Sequence, residues 1–158
     1  MPLFKEEQER RPEWEIPSGV YVVTLRTPTR VNAYAAGWVV RVSEVPVMIQ
    51  VAVWDQNYSF ELAQDCDHFV VQILEHGQQS VARHFGRNCG RDMDKLAGFE
   101  TYPGISGAPI LKDCLAYLEC KVEFRKRFGD HMVLVGPSVQ SAIHRPGNAL
   151  IYDYEDYQ

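Results

Sequence analysis

Apolar and polar positions along this chain mostly follow the two-residue period of strands, with two short interruptions at helical period. Residues 19–25 (GVYVVTL) are apolar and β-branched, lie between a Pro-Ser pair and a Thr-Pro-Thr triplet, and predict a strand. Residues 33–43 (AYAAGWVVRVS) run from small side chains into a β-rich stretch. The strongest strand signal is 45–54 (VPVMIQVAVW), nearly apolar throughout and alternating around Gln50, as expected of a strand in a barrel or between two layers. The period then changes: 57–65 (NYSFELAQD) predicts one short helix with Asn57 or Ser59 as N-cap. Residues 68–74 (HFVVQIL) return to strand, and 79–85 (QSVARHF) predict a second short helix closed by Gly86 at C′.

Residues 87–106 are polar, glycine-containing and aperiodic, a loop long enough to be functional or to cover something. From 114 to 127 the pattern is β again. It places Cys120, Val122 and Phe124 on one face, with Glu119, Lys121, Glu123 and Arg125 on the other. A Phe-Gly-Asp turn at 128–130 starts a hairpin whose return strand is 131–143, and 149–152 (ALIY) is a last short strand. Some six strands with two short helices predict a mainly β domain, a small antiparallel barrel with helical additions. Three segments are expected: a charged N-terminal arm at 1–17, one folded body at 18–152 and an acidic, Tyr-rich tail at 153–158.

Composition narrows the function classes. Sixteen Lys and Arg against 21 Asp and Glu leave a net charge of −5, the wrong sign for a nucleic-acid or anionic-membrane surface. No apolar run reaches the ~18 residues of a membrane-spanning helix, and the first residues lack the apolar segment of a secretory signal, so a cytoplasmic protein is expected. Cys66, Cys89, Cys114 and Cys120 have no metal-site spacing and read as scattered buried thiols. His68, His76 and His84 recur every eighth residue, but the interval crosses a strand, a turn and a helix, so no metal site is expected. Phosphate-loop, dinucleotide-fingerprint, nucleophile-elbow and zinc-protease motifs are missing.

Three features carry candidate chemistry. The small-residue run at 32–40 (NAYAAGWVV) would let a flat ligand approach backbone N–H donors, although tight strand packing accounts for the same residues. Residues 54–59 (WDQNYS) join a strand end to a helix start, where backbone N–H groups and the side chains of Asn57, Tyr58 and Ser59 could hold a phosphate; ordinary capping is the alternative. The turn at 128–131 sets one imidazole, His131, at a strand start.

Taken in order, the segments at 19–43, 46–63, 69–74, 78–87, 94–100, 103–122 and 129–139 resemble the flavin reductase-like, FMN-binding split-barrel family over about 18–152. PGISGAPILKDCLAYLECKV and GDHMVLVGPSV are the most specific pieces. The resemblance implies a six-stranded antiparallel Greek-key split barrel and a homodimer with flavin in a groove at the subunit interface. It further implies FMN as cofactor (FAD as the variant), NADH or NADPH as co-substrate, and hydride transfer to flavin N5. The isoalloxazine would lie along Ala35, Ala36, Gly37, Trp38 and Val39, and the phosphate at Asn57, Tyr58 and Ser59. Arg83, His84 and Phe85 would approach the phosphate end, Trp54 and Tyr152 would complete the cofactor contacts, and His131 would face the nicotinamide and flavin as the catalytic residue. Relatives usually carry hydroxyl residues where this chain has Ala35 and Gly37, so ring contacts here fall to backbone donors. Reduced flavin could be supplied to a partner monooxygenase. The rival reading is a flavin or haem carrier on the same barrel without NAD(P)H turnover.

Overall fold

The computed structural model describes residues 11–157; residues 1–10 of the expected arm and residue 158 of the tail lie outside the described residues. Eight strands form one antiparallel sheet that curls into a split barrel. They are β1 (Tyr21–Arg26), β2 (Val31–Ala36), β3 (Val39–Glu44), β4 (Val47–Trp54), β5 (His68–Ile73), β8 (Ala116–Lys121), β9 (Phe124–Phe128) and β10 (His131–Ile143). A separate hairpin pairs β6 (Thr101–Pro103) with β7 (Pro109–Leu111), and the helices are α1 (Ser59–Ala63) and α2 (Gln79–Arg87). The mainly β split barrel is as expected; the strand count is higher because two predicted stretches each divide and because the β6–β7 hairpin begins inside the expected 87–106 loop. The expected last strand at 149–152, by contrast, makes only isolated bridges, Ala149 to Glu75 and Ile151 to Gly19.

The first division is at Gly37 and Trp38. Residues 33–43 do not form one strand: β2 pairs with β1, the chain bends, and β3 pairs with β4. The second is at Val122 and Glu123, where β8 ends against β5 and β9 begins against β10. The thirteen-residue β10 is what joins the halves: residues 131–137 pair with β4, and 138–143 pair with β8 after an irregularity at Ser138–Gln140. Gly136 stands at that crossover, where a Cβ would come within 1.7 Å of the Lys121 carbonyl oxygen. Backbone cannot yield as a side-chain tip can, so Gly136→Ala is expected to destabilise the fold by about 3 kcal/mol or more. Denaturant titration reads the loss directly.

The two halves are covered differently. In β2-β1-β5-β8 both faces are buried. Val23, Leu25, Phe69, Val71 and Cys120 point into the barrel with Ile49, Val51, Val53 and Leu134 of the other half. Val20, Val22, Val70 and Leu74 point outward beneath α2 (Ala82, Phe85) and beneath Ala108, Ile110 and Leu111. Two buried faces are why β1 and β5 read as continuous apolar runs. By contrast, β3-β4-β10-β9 packs only its inner face. Directly opposed residues share a face, so the register sets Phe124, Val135, Gln50 and Val40 in one outward row, Lys126, Val133 and Ala52 in the next, and Phe128, His131 and Trp54 in the third. Val40, Val42, Phe124 and Phe128 remain about half exposed.

Two local expectations need correction. Gly86 does not end α2, which continues to Arg87; Asn88 caps it, its side-chain amide donating to the His84 carbonyl at 2.9 Å. Glu119, expected on the polar face, is fully buried because the 104–107 loop folds over it. Its carboxylate accepts N–H bonds from Ile105 (2.8 Å) and Ser106 (2.9 Å), as well as the Ser106 hydroxyl. Gly104 permits this, since a Cβ there would lie 2.5 Å from the carboxylate.

The thiols of Cys66, Cys114 and Cys120 are buried as expected, whereas Cys89, expected to be buried with them, is only partly buried because its loop turns it to the edge of a cavity. Burial raises all three, pushing Cys114 up to about 11 and Cys120 to about 12 from an ordinary 9.0. The sign for stability follows: above pH 9 the unfolded chain releases these protons while the folded chain retains them, so stability falls with rising pH. Denaturation midpoints are expected to decline from pH 9 to 11, and less steeply in Cys120→Ala.

Candidate functional site

A cavity of about 200 Å³ opens where the β2–β3 bend meets the end of β4. Four segments line it. Tyr34, Ala35, Ala36, Gly37 and Trp38 form one wall, and Ala52, Trp54 and His131 a second. Gln56, Asn57 and Tyr58 close one end; Phe85, Gly86, Arg87, Asn88 and Cys89, with Lys95, close another.

The first wall is possible because three of its side chains are small and because the bend leaves strand pairing. Gly37 and Trp38 fall between the β1–β2 and β3–β4 ladders, with the Trp38 carbonyl accepting the Ala52 N–H at 3.2 Å. Beneath, the Tyr34 hydroxyl donates to the Ala52 carbonyl (3.1 Å), tying β2 to β4 where no ladder joins them.

His131 is buried, though it begins a strand after an exposed turn. Its Nδ1 lies 2.7 Å from the Asp130 carboxylate, and its ring packs 4.4 Å from Trp38 at a 31° tilt. Burial holds its pKa below the ordinary 6.5, against the opposing pull of Asp130. At neutral pH the ring is therefore uncharged, with Nδ1–H donating to Asp130. The turn is braced: Arg127 Nε donates to the Gly129 carbonyl at 3.0 Å, its Nη2 binds Asp55 at 2.7 Å, and the Asp55 N–H donates to the Asp130 carbonyl.

At the other end, α1 and the 88–91 loop are set by packing. Asn57 Oδ1 accepts the Ser59 N–H at 3.1 Å, an Asx turn starting two residues before the helix. The N-cap position falls to Tyr58 rather than to the expected Asn57 or Ser59, because Ser59 already lies in the first turn. Arg91 lies over the Tyr58 ring at 5.1 Å, and Gly90 lets the loop close on Asn32 and Tyr58, which a Cβ there would strike. Lys95 is only 3% exposed. Its Nζ donates to the Phe85 carbonyl at 3.0 Å, and burial draws its pKa down to about 8.

Of the residues singled out from the sequence, the cavity brings together Ala35, Ala36, Gly37, Trp38, Trp54, Asn57, Tyr58, Phe85 and His131. Val39 packs into the barrel instead. Ser59 is fully buried and takes a hydrogen bond from Asn32 at 2.8 Å. The His84 Nε2 bonds the Lys95 carbonyl at 2.8 Å. Arg83 donates to the Asp156 carbonyl (2.6 Å), and Tyr152 stacks on Tyr157 with ring centroids 5.4 Å apart. Cys89, Arg87 and Lys95 were missed; a polar loop carries no periodicity to show which of its side chains turn inward.

A family model described as the flavin reductase like domain matches residues 14–158. The chain belongs to this family. The diflavin flavoprotein A 1 of a Synechocystis species is 37% identical over 120 residues, 75% of this chain but 21% of that protein. The chain thus spans about a fifth of the length of the diflavin flavoproteins it matches. Among solved structures, the FMN-binding protein of Thermus thermophilus, crystallised with 1-cyclohex-2-enone, is 26% identical with a TM-score of 0.80, covering 94% of this chain and 89% of its own. The NADH:FAD oxidoreductase of Streptomyces globisporus C-1027, in complex with NAD and FAD fragments, is 25% identical with a TM-score of 0.81, covering 92% and 86%. Within this flavin reductase-like domain no helix among the described residues is long and apolar enough to cross a membrane.

Proposed function

We propose that this domain binds FMN in the cavity and reduces it with NADH or NADPH, two copies enclosing the cofactor between them. The observation that carries the proposal is the wall formed by Ala35, Ala36 and Gly37 facing Ala52, Trp54 and His131. Side chains this small let a flat tricyclic ring lie against backbone, and the N–H groups of Gly37 and Trp38, outside both ladders, are its donors. The residues therefore fit a flavin ring, and the relatives named for FMN and FAD support it.

When bound, the flavin supplies the redox chemistry by accepting a hydride from the nicotinamide at N5. What the chain adds is position. His131, neutral and pinned through Nδ1 to Asp130 with its ring held against Trp38, would orient the nicotinamide. The 200 Å³ cavity is smaller than the roughly 300–1,000 Å³ of a typical ligand pocket. The half-exposed outward rows of β3-β4-β10-β9 run directly into it, through Ala52, Trp54 and His131. A second copy seated on Val40, Val42 and Phe124 would cover this apolar face and complete the enclosure.

Anaerobic mixing of the FMN-loaded protein with NADH, and separately NADPH, tests the proposal. Bleaching of the flavin absorbance at a rate proportional to protein supports a reductase. Tight flavin binding without bleaching would establish the rival, a carrier, which the loss of hydroxyls at Ala35 and Gly37 favours. The acceptor of the reduced flavin, a partner monooxygenase among the candidates, is read by which added protein or ferric complex restores the absorbance.

A further inference from the structure

The support of the His131 ring stands on an exposed turn. Its Nδ1 partner, the Asp130 carboxylate, is 69% exposed and follows Gly129, whose φ is 55°. A carboxylate so placed ordinarily samples several rotamers, and holding it in one costs entropy. Here the backbone of Asp130 is held on both sides. The peptide before it is fixed through the Gly129 carbonyl, which accepts the Arg127 Nε–H at 3.0 Å. The peptide after it is fixed through its own carbonyl, which accepts the Asp55 N–H at 2.9 Å. Arg127 joins the two holds, since its Nη2 also reaches the Asp55 carboxylate at 2.7 Å. The guanidinium in turn lies over the Phe60 ring of α1 at 5.4 Å, and the other Asp55 oxygen accepts from Gln56 at 3.0 Å.

This clamp works from outside the site. Arg127 shares the inward row with Met132 and Val53, whereas His131 is in the outward row with Phe128 and Trp54. Arg127 therefore approaches the turn from the face opposite the imidazole, and neither it nor Asp55 lines the cavity. Fold stability does not account for the pair, because an ion pair with a half-exposed guanidinium contributes little. What the planar fork supplies is geometry, two donors at a fixed angle on two different acceptors. We propose that Arg127 and Asp55 are positioning residues, whose clamp aims the Asp130 carboxylate at Nδ1 and so fixes the tautomer and plane of the His131 ring. The consequence for flavin reduction rests on the proposed function; the state of the imidazole does not.

Arg127→Met, Asp55→Asn and the double variant test it in the full chain. Nitrogen–proton NMR of the His131 ring, recorded without ligand at pH 7, should show one tautomer in the wild type, with the proton on Nδ1. Each variant should show a mixture of both tautomers while melting close to the wild type. With FMN bound, each should reduce its flavin roughly tenfold more slowly with NADH or NADPH, a smaller loss than removal of the imidazole itself, and keep flavin affinity within about twofold. The double variant should be no slower than the slower single one, the non-additivity expected of residues that act as one clamp. A wild-type ring without its proton on Nδ1, or a tautomer unchanged in both single variants, would overturn the proposal. So would effects that add in the double variant, or a loss confined to melting temperature. A wild type that neither binds nor reduces flavin defeats the functional reading alone, and the ring spectrum still decides the proposal.

Discussion

His131→Ala is expected to slow NAD(P)H-driven flavin reduction about 100-fold, the scale on which misplacement of a reacting group acts, while flavin affinity changes less than about threefold. The asymmetry comes from geometry. His131 occupies the row shared with Trp54 and Phe128, on the face that the second copy would close, and packs on Trp38 at 4.4 Å. Its ring is thus suited to orient a second ligand over the flavin rather than to hold the flavin itself. Stopped-flow bleaching gives the rate and fluorescence quenching the affinity; equal effects on both would remove His131 from the role. The same geometry predicts the pH profile. Burial holds the imidazole below 6.5, so the neutral form persists at pH 7. Reduction is therefore expected to be level from pH 7 to 8 and to fall only below 6.5 as the ring takes up a proton. In Asp130→Asn the carboxylate that fixes Nδ1 is gone, and the fall should move to lower pH, since that carboxylate favours the protonated ring.

Val40→Glu is expected to separate the copies and, with them, flavin binding. Val40 is half exposed, so the single chain should fold as before. In a dimer covering the face, the substitution buries a carboxylate from each copy without a partner, at about 3–5 kcal/mol apiece. Sedimentation should show the one-chain mass at concentrations where wild type is a dimer, and FMN affinity should fall at least tenfold. Phe124→Lys, in the same row across β10, should act alike. A variant that stays dimeric with unaltered flavin affinity would place the interface elsewhere.

Much of the barrel was legible because its two signals are local. β4 alternates so cleanly that its buried residues, Ile49, Val51 and Val53, can be picked from the letters, and the Gly-Asp turn between β9 and β10 needs the positive φ of Gly129 (55°). The breaks were not legible, since they are set by partners distant in sequence. Nothing in AYAAGWVVRVS announces that its two ends pair with different strands, and nothing in LECKVEF says that Glu119 will be covered by a loop whose backbone it binds. The site divides in the same manner. Ala35 to Trp38, Trp54, Asn57, Tyr58 and His131 belong to patterned segments or to a turn with a signature, and they line the cavity. Lys95 stands in an aperiodic loop where a lysine ordinarily faces solvent; only the length of that loop hinted that it covered something. Arg83 was singled out with its neighbours His84 and Phe85 on α2, yet adjacency along a short helix does not reveal that a distant carbonyl, that of Asp156, engages its guanidinium.

A crystal structure of the chain grown with FMN tests the central claim most directly. The flavin ring is expected against the Gly37–Trp38 bend, with the Val40 face of a second copy closing the groove. Flavin found at another surface, or a cavity closed by the chain's own side chains with no flavin taken up, would contradict the account.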